Sequence, residues 1–207
     1  MMKSSVETML HQHLMARGVC DRHLLDAMAH VPREQFVPPE FKQYAYDDRP
    51  LPIGRGQTIS QPYIVATMIE LAQITRESIV LDVGTGCGYM AAVIASIAKQ
   101  VCTLECIPEL AEMAARHFES LGIDNIDARR GDGYLGWPDD KLFDAILVSC
   151  APRHVPENLL KQLKPNGRLV LPISHDSPRQ ILTCYQKTPR GDIEITEHMA
   201  VQFVPMV

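Results

Sequence analysis

Three short motifs in the middle of the chain contain residue types that could hold a ligand. SIVLDVG runs into GTGCGY, so Asp82 is followed by Gly84 and Gly86. LEC places Glu105 nineteen residues after Gly86, and RRGDGY places Asp132 further along. Glycines let the chain turn sharply and let backbone N–H groups approach a ligand. A carboxylate at the end of the next strand can accept hydrogen bonds from ribose hydroxyls. The pattern predicts a site for a nucleoside-containing cofactor.

Two classes of cofactor fit these glycines. A dinucleotide needs the spacing G-x-G-x-x-G, with a helix N-terminus directed at a pyrophosphate. Here Gly84, Gly86 and Gly88 give G-x-G-x-G, so the third glycine comes one residue early. S-adenosylmethionine has no phosphate, and Asp132 is placed to meet the exocyclic amine of its adenine. Each motif alone also fits a simple turn, but together they favour S-adenosylmethionine. The cofactor-binding residues predicted from these motifs are Gly84, Thr85, Gly86, Glu105, Asp132 and Gly133.

The elements that would position these residues alternate between strand and helix. The predicted strands are SIVLDVG, QVCTLEC, NIDARRG, FDAILVSC and RLVLPI, and the predicted helices are CGYMAAVIASIA, PELAEMAARHFESLG and PENLLKQLKPNG. Such alternation predicts an α/β fold with a doubly wound, mostly parallel, Rossmann-like sheet. QILTCYQK and IEITEHMAVQFVPM follow one another as strands and predict an antiparallel edge.

The N-terminal part of the chain is predicted to form a helical cap over this core. VETMLHQHLMARG has helical spacing and stops at Gly18, and Asp21 is a predicted N-cap for DRHLLDAMAHV. VPREQFVPPEF is irregular. We expect residues 1–75 to form the helical cap and an active-site loop, and residues 76–207 to form the core, within one compact domain.

Composition restricts the partners. The net charge of −5 argues against nucleic acid, which usually selects a basic surface. No stretch is long and apolar enough to span a membrane, and MMKSSVETMLHQH lacks the apolar centre of a signal peptide. None of the six cysteines forms a C-x-x-C pair, and the eight histidines show no metal-ligand spacing, so we expect no metal site. We expect a monomeric, cytoplasmic protein with reduced thiols.

Residues 52–63, PIGRGQTISQPY, are polar and interrupted by proline and glycine. We expect a loop, because the segment is too polar for a core strand and too rich in hydrogen-bonding side chains for a plain linker. Pro62 begins the apolar helical pattern PYIVATMIELAQI. From spacing alone, Ser60 or Gln61 is predicted to cap that helix.

The chain resembles the protein-L-isoaspartate O-methyltransferases almost from end to end. The matching segments are VPREQFVP, YDDRPLPIGRGQTISQPYIVA, VLDVGTGCGY, GDGYLGW, FDAILV, QLKPNGRLVLPI and FVPM. The resemblance implies a class I S-adenosylmethionine-dependent fold and methylation of the free α-carboxylate of L-isoaspartyl residues in damaged proteins and peptides, which starts their repair through a succinimide. It also implies that Ser60 is the active-site serine, and that the segment from Gln57 and Thr58 to Ser60 lies along the cofactor.

Three departures from the family pattern keep other functions open. Cys87 stands where serine is usual, Cys106 stands where a basic residue is common, and SCAPRH (149–154) replaces a more alanine-rich run. The SCAPRH segment leaves a related carboxyl methyltransferase acting on a small molecule or a specific peptide as an alternative. A cofactor-binding adaptor without turnover is another, which the presence of Ser60, Glu105 and Asp132 disfavours. A dinucleotide oxidoreductase is disfavoured by the glycine spacing.

Overall fold

The computed structural model describes residues 5–174 and 179–206, and nine strands and six α-helices occur within those ranges. The strands are β1 Leu51–Gly54, β2 Gln57–Ile59, β3 Ile79–Val83, β4 Gln100–Glu105, β5 Ile126–Arg130, β6 Phe143–Val148, β7 Leu163–Ile173, β8 Gln180–Lys187 and β9 Ile193–Val201. The α-helices are α1 Val6–Thr8, α2 Arg22–His30, α3 Pro62–Ala72, α4 Tyr89–Ala95, α5 Pro108–Ser120 and α6 Glu157–Lys161. Within the described ranges, no helix is long and apolar enough to cross a membrane.

Seven strands form one sheet in the order β5-β4-β3-β6-β7-β8-β9. The pairs from β5 to β7 are parallel, and β8 and β9 add an antiparallel edge. The predicted doubly wound sheet and its antiparallel edge are therefore confirmed. The chain leaves β3 first toward β4 and later returns to its other side at β6, so the strand order reverses there. Ligands of open α/β sheets bind outside the carboxyl ends of the strands at such a reversal.

Apolar residues on both faces of the central strands explain why this sheet is covered on both sides. Along β6, Ala145 and Leu147 belong to one hydrophobic cluster, whereas Ile146 and Val148 belong to a second. Successive side chains of a strand point to opposite faces, so each cluster lies on one face. The first cluster also contains buried residues of the N-terminal region, including Leu24, which packs that region against the sheet. The predicted boundary between residues 75 and 76 stays a prediction.

The N-terminal helices follow their predicted start and stop signals. The first helix passes from α-helical to π-helical geometry over Met9–Leu14 and to 3-10 geometry over Met15–Arg17, and it ends at Gly18, whose φ is 95°. The Asp21 carboxylate accepts the N–H groups of residues 23 and 24 at 2.8 and 3.2 Å and caps α2 as predicted.

Two sequence expectations were wrong in detail. Residues 52–63 do not form a plain loop, because β1 and β2 pair as an antiparallel hairpin. Its alternating apolar residues are buried, and Arg55 turns the chain with a φ of 53°. The predicted helix PENLLKQLKPNG ends early, at Lys161, and β7 begins at Leu163. Its NG pair lies instead in an irregularity of that strand, where Asn166 has a φ of 66°.

Candidate active site

A cleft lies outside the carboxyl ends of β3, β4 and β6 and encloses about 800 Å³, part of it open to solvent. The hairpin strand β2 and Ser60 form one part of its lining, and the glycine-rich segment after β3 forms another. The ends of β4 and β6 and the C-terminal residues 204–206 complete it. The cleft therefore occupies the position that the reversal of strand order predicts.

The glycine segment turns tightly and is fixed by hydrogen bonds to β4. The Gly84 N–H donates to the Leu104 carbonyl at 2.9 Å, and the Gly86 N–H donates to Glu105 Oε2 at 2.8 Å. Gly86 has a φ of 56°, which L-residues with a side chain rarely adopt, and a Cβ there would approach Ile53 of the hairpin at 3.3 Å. A glycine at this position lets the hairpin pack directly on the glycine segment.

Glu105 lies at the end of β4 with 5% of its surface exposed. Besides the Gly86 N–H, its carboxylate accepts the Ile107 N–H at 2.9 Å, and the Cys106 thiol lies 3.7 Å from the same oxygen, Oε1. These donors hold the side chain in one orientation beside the cleft that it lines. A fixed acceptor of this kind can receive hydroxyl groups of a ligand without reorganising.

Asp82 does not line the cleft, although the sequence placed it at a strand end with the other acids. Its side chain is fully buried, and Thr103 Oγ1 donates to its Oδ2 at 3.0 Å. Burial raises the pKa of the Asp82 carboxyl to about 7. The Thr103 hydroxyl is also 2.6 Å from that of Thr85, which does line the cleft. Asp82 is therefore linked to the glycine-rich segment after β3 through the hydroxyls of Thr103 and Thr85.

Asp132 lies at the margin of the cleft. Its Oδ1 accepts the Tyr134 N–H at 2.8 Å, and Asp132 lines an adjoining open depression. Gly133 lines the main cleft, and a Cβ on it would overlap the side chains of Val83 and Met206. Only glycine therefore lets this turn pass between β3 and the C-terminal segment.

The hairpin brings Gln57, Thr58 and Ser60 to the cleft together, as the resemblance implies for this segment. Ser60 does not cap α3: the N-cap position belongs to Gln61, whose side chain makes no capping hydrogen bond. The Ser60 carbonyl accepts Nη2 of Arg33 at 2.7 Å. Within residues 5–174 and 179–206 the Ser60 hydroxyl has no hydrogen-bond partner, so it is available to a ligand.

Three thiols line the cleft, and all are neutral at physiological pH. Burial raises the pKa of Cys87 to about 11 and that of Cys150 to about 12, and it also raises the pKa of Cys106. A thiol reacts as a nucleophile only as the thiolate. These cysteines therefore serve as neutral lining, and all three lie at departures from the family pattern: Cys87, Cys106 and, within SCAPRH, Cys150. Within the described part of the chain, no cluster of three or more His, Cys, Asp or Glu residues is placed to hold a metal ion.

Sequence reasoning missed two residues that support Ser60 and one that lines the cleft. Arg33 and Asp48 lie far from the cofactor motifs in sequence and reach the segment around Ser60 only through the fold. The sequence shows the charged residues in VPREQ and YDDR, but it does not show which groups they hydrogen-bond. Tyr89 is buried beside the cleft and follows the glycines directly, so its place in GTGCGY was its only signal.

Comparison with known sequences supports the resemblance to the isoaspartate methyltransferases over nearly the whole chain. The family described as Protein-L-isoaspartate(D-aspartate) O-methyltransferase (PCMT) matches residues 4–207. The chain is 48% identical over 198 residues to the protein-L-isoaspartate O-methyltransferase of Gloeobacter violaceus, with 96% of each chain covered. It is 49% identical over 200 residues to that of a Picosynechococcus species, with 97% of this chain and 89% of the relative covered.

Solved structures of the same family have a similar fold. A protein-L-isoaspartate O-methyltransferase superposes with a TM-score of 0.87 at 31% identity, covering 97% of this chain, which spans 65% of that longer protein. A beta-aspartate methyltransferase (PCMT) from Plasmodium falciparum, solved in complex with S-adenosyl-L-homocysteine, superposes with a TM-score of 0.82 at 26% identity, and 97% of each chain is covered. The fold is therefore the Rossmann-like fold of class I S-adenosylmethionine-dependent methyltransferases, and the chain belongs to the protein-L-isoaspartate(D-aspartate) O-methyltransferase family.

Proposed function

We propose that this protein transfers a methyl group from S-adenosylmethionine to the free α-carboxylate of L-isoaspartyl residues in damaged proteins and peptides. The observation that carries the proposal is the position of Ser60. Ser60, whose hydroxyl has no hydrogen-bond partner among the described residues, lines the same cleft as the glycine segment and Glu105. A cofactor side and an acceptor side thus share one enclosed space, as a transfer reaction requires.

The lining of the cleft fits S-adenosylmethionine better than a dinucleotide. Glu105 is the one charged side chain among the described lining residues, and none of them is basic. The Gly86 N–H, a loop donor of the kind that meets a pyrophosphate, donates instead to Glu105, whose carboxylate attracts a cation and can accept ribose hydroxyls. When bound, S-adenosylmethionine supplies a methyl group carried on a positively charged sulfur. The residues that we propose to hold it are Gln57, Thr58, Gly84, Thr85, Gly86, Glu105, Asp132 and Gly133.

The acceptor explains why the site can work with a serine and no base. An α-carboxylate has a pKa of roughly 3.5, so it is ionised at neutral pH and no proton has to be removed. Its oxygen forms the new bond to the methyl carbon while the carbon–sulfur bond breaks and its electron pair stays on sulfur. The Ser60 hydroxyl donates to the other carboxylate oxygen and fixes the direction of approach. Such alignment can lower a barrier by about 7 kcal/mol in favourable cases.

The ester that forms needs no further help from the protein. The neighbouring amide nitrogen attacks the ester carbonyl, methanol leaves, and a succinimide ring closes. Water then opens the ring at either carbonyl, and one of the two products is normal aspartate. Repair therefore follows from the methylation step and the chemistry of the damaged chain.

We further propose that the protein works as a cytoplasmic monomer on polypeptide substrates, without nucleic acid or membrane as a partner. The net charge of −5 supports this, because phosphate-rich partners usually select basic surfaces. The six cysteines are all free thiols in the structure, as is usual in a reducing compartment. Light scattering during gel filtration tests the oligomeric state.

The proposal is tested by methyl transfer from labelled S-adenosylmethionine to three matched peptides. One contains isoaspartate, the second contains aspartate at the same place, and the third contains isoasparagine, in which an amide replaces the α-carboxylate. We expect label only in the first. Equal labelling of the first two would favour a general carboxyl methyltransferase, and cofactor binding without transfer to any peptide would favour an adaptor.

A further inference from the structure

Arg33 is a fully buried arginine directly behind the acceptor side of the cleft. Its exposure is 0%, and its Nε donates to the Ala45 carbonyl at 2.7 Å. Its Nη2 donates to the Ser60 carbonyl at 2.7 Å, and its Cζ lies 4.7 Å from the centroid of the Tyr89 ring. Ser60 and Tyr89 both line the cleft. One layer of protein therefore separates this guanidinium from a bound acceptor.

The charge of Arg33 has no carboxylate partner among the described residues. Glu34, its neighbour in sequence, is hydrogen-bonded to the hydroxyl of Tyr46 instead. Arg33 Nη1 has no hydrogen-bond partner within the described ranges. Burial lowers the pKa of the guanidinium, but arginine keeps its proton at neutral pH in proteins. A buried, uncompensated charge is costly, and removing water strengthens its field on neighbouring groups.

We propose that Arg33 is the residue that makes the acceptor side of the cleft select an anion. This inference rests on the proposed function. The cleft lining contains no basic side chain within the described residues, so a positive side chain that acts on Ser60 has to lie behind the lining and provide its field from there. Arg33 supplies that field through the Ser60 carbonyl and the Tyr89 ring without touching the acceptor. It is therefore a positioning and specificity residue, and Ser60 remains the group that contacts the carboxylate.

The placement of the charge behind the lining has a chemical consequence. Methyl transfer removes one positive charge from sulfur and one negative charge from the acceptor. A nearby cation repels the positive charge on sulfur, which favours transfer, and attracts the negative charge on the acceptor, which disfavours it. Its two effects on the chemical step therefore oppose each other. In binding they separate: the cation strengthens binding of the anionic acceptor and weakens binding of the cationic cofactor. An arginine in direct contact with the carboxylate would instead stabilise the reactant strongly.

The first test compares the dissociation constants of S-adenosylmethionine and S-adenosylhomocysteine, which differ by the charge on sulfur. Arg33→Gln removes the charge and keeps an N–H donor for one carbonyl, whereas Arg33→Lys keeps the charge when assayed at a low pH at which a buried ammonium stays protonated. In Arg33→Gln we expect affinity for the charged ligand to rise relative to the neutral one on the order of tenfold. We expect the ratio in Arg33→Lys to stay at the wild-type value. Equal changes for both ligands in Arg33→Gln would overturn the inference, because a loss of structure alone acts on both.

A matched control is Arg168→Gln. Arg168 also donates to a backbone carbonyl, that of Leu71, at 3.1 Å, and it is not among the residues that line the cleft. We expect the ratio of the two dissociation constants to be unchanged in this variant. The KM of Arg33→Gln for the isoaspartyl peptide should also rise on the order of tenfold with a smaller change in kcat. A shift of the same size in Arg168→Gln would remove the assignment to Arg33.

A second test uses the wild-type protein, so it can be carried out even if the variants do not fold. In the complex with S-adenosylhomocysteine the sulfonium charge is absent, so any preference for an anion comes from the protein. We expect the isoaspartyl peptide to bind at least tenfold more tightly than its isoasparaginyl counterpart, which is neutral at the same place. Equal binding overturns the inference and leaves the proposed methyl transfer intact. A protein that binds neither cofactor form overturns both proposals.

Discussion

Asp48 Oδ1 accepts the backbone N–H of Tyr63 at 3.1 Å and so caps helix α3 from fifteen residues away in sequence. The other oxygen of the same carboxylate accepts Arg17 Nη1 at 2.6 Å and Gln61 Nε2 at 3.4 Å. An acidic group is favoured at a helix N-terminus because it meets unpaired N–H groups and the positive end of the helix dipole. Because Asp48 takes this role, the hydroxyl of Ser60 is left for the cleft.

Asp48→Ala should therefore destabilise the fold while Ser60→Ala should not. We expect the free energy of unfolding to fall by about 1–2 kcal/mol, the range found when a capping side chain is lost. We also expect slower methyl transfer, because the segment from Ser60 to Tyr63 loses its anchor. Urea unfolding and the isoaspartyl peptide assay measure the two effects.

The neighbouring aspartate provides the control for that variant. Asp47 is one third exposed and pairs only with Arg49, at 3.2 Å, among the salt bridges of the described residues. Such surface pairs contribute little, so Asp47→Ala should change the free energy of unfolding by less than about 0.5 kcal/mol. Equal destabilisation in the two variants would contradict the capping role of Asp48.

The sheet was predictable from sequence because its strands are buried on both faces and read as apolar runs between helical patterns. The hydrogen-bond partners of individual polar side chains were not predictable from sequence. Local spacing offered Ser60 or Gln61 as the cap of α3, and the actual cap, Asp48, comes from a distant segment. Asp82 and Glu105 look alike in sequence, each at a strand end, yet only Glu105 lines the cleft. Which strand-end carboxylate is covered depends on packing between distant elements, which spacing does not encode.

Glu105→Gln should weaken cofactor binding and also lower the free energy of unfolding, because one buried backbone N–H loses its acceptor. The substitution removes the charge and replaces one acceptor oxygen by an NH₂ group that faces the N–H of Gly86 or of Ile107. We expect a loss of about 1–3 kcal/mol in affinity for S-adenosylmethionine, the usual value for a hydrogen bond to a charged group. Calorimetry with S-adenosylmethionine and with NAD measures it, and tighter binding of NAD by the wild-type protein would contradict the assignment. Glu119→Gln, an exposed change on α5, serves as control.

Asp82 should make the protein less stable as pH rises. The carboxyl has an ordinary pKa of 3.8 when unfolded, and burial raises it to about 7 in the fold. The folded state therefore binds the proton more tightly, so the unfolding free energy falls between about pH 4 and pH 7 and levels off above that range. The loss is at most roughly 4 kcal/mol, since one pKa unit corresponds to about 1.36 kcal/mol.

Asp82→Asn isolates this contribution, because the amide cannot titrate. The difference in unfolding free energy between wild type and variant should shift in favour of the variant as pH rises from 5 to 8. Chemical unfolding at several pH values measures that difference. A difference that stays constant over this range would show that Asp82 keeps its ordinary pKa in the fold.

Ser60→Ala should slow methyl transfer strongly and leave both folding and cofactor affinity nearly unchanged. Its hydroxyl has no partner among the described residues, and its backbone carbonyl keeps the hydrogen bond from Arg33 in the variant. The loss of one hydrogen bond that orients a reacting charge costs roughly 2.7–4 kcal/mol, or about 10²–10³ in turnover. We propose that the cofactor is held mainly by residues after β3, β4 and β5, so we expect its dissociation constant to change by less than about twofold.

Three measurements on the same preparations separate this role from a structural one. Melting temperature, cofactor dissociation constant and turnover are compared for Ser60→Ala, Ser60→Thr and Ser149→Ala. Ser60→Thr keeps a hydroxyl and should recover part of the turnover. Ser149 also lines the cleft, but its hydroxyl lies 3.6 Å from the sulfur of Met90, so its loss should affect turnover less. A Ser60→Ala protein that melts earlier yet turns over normally would mean that Ser60 supports the hairpin and α3 but does not orient the acceptor.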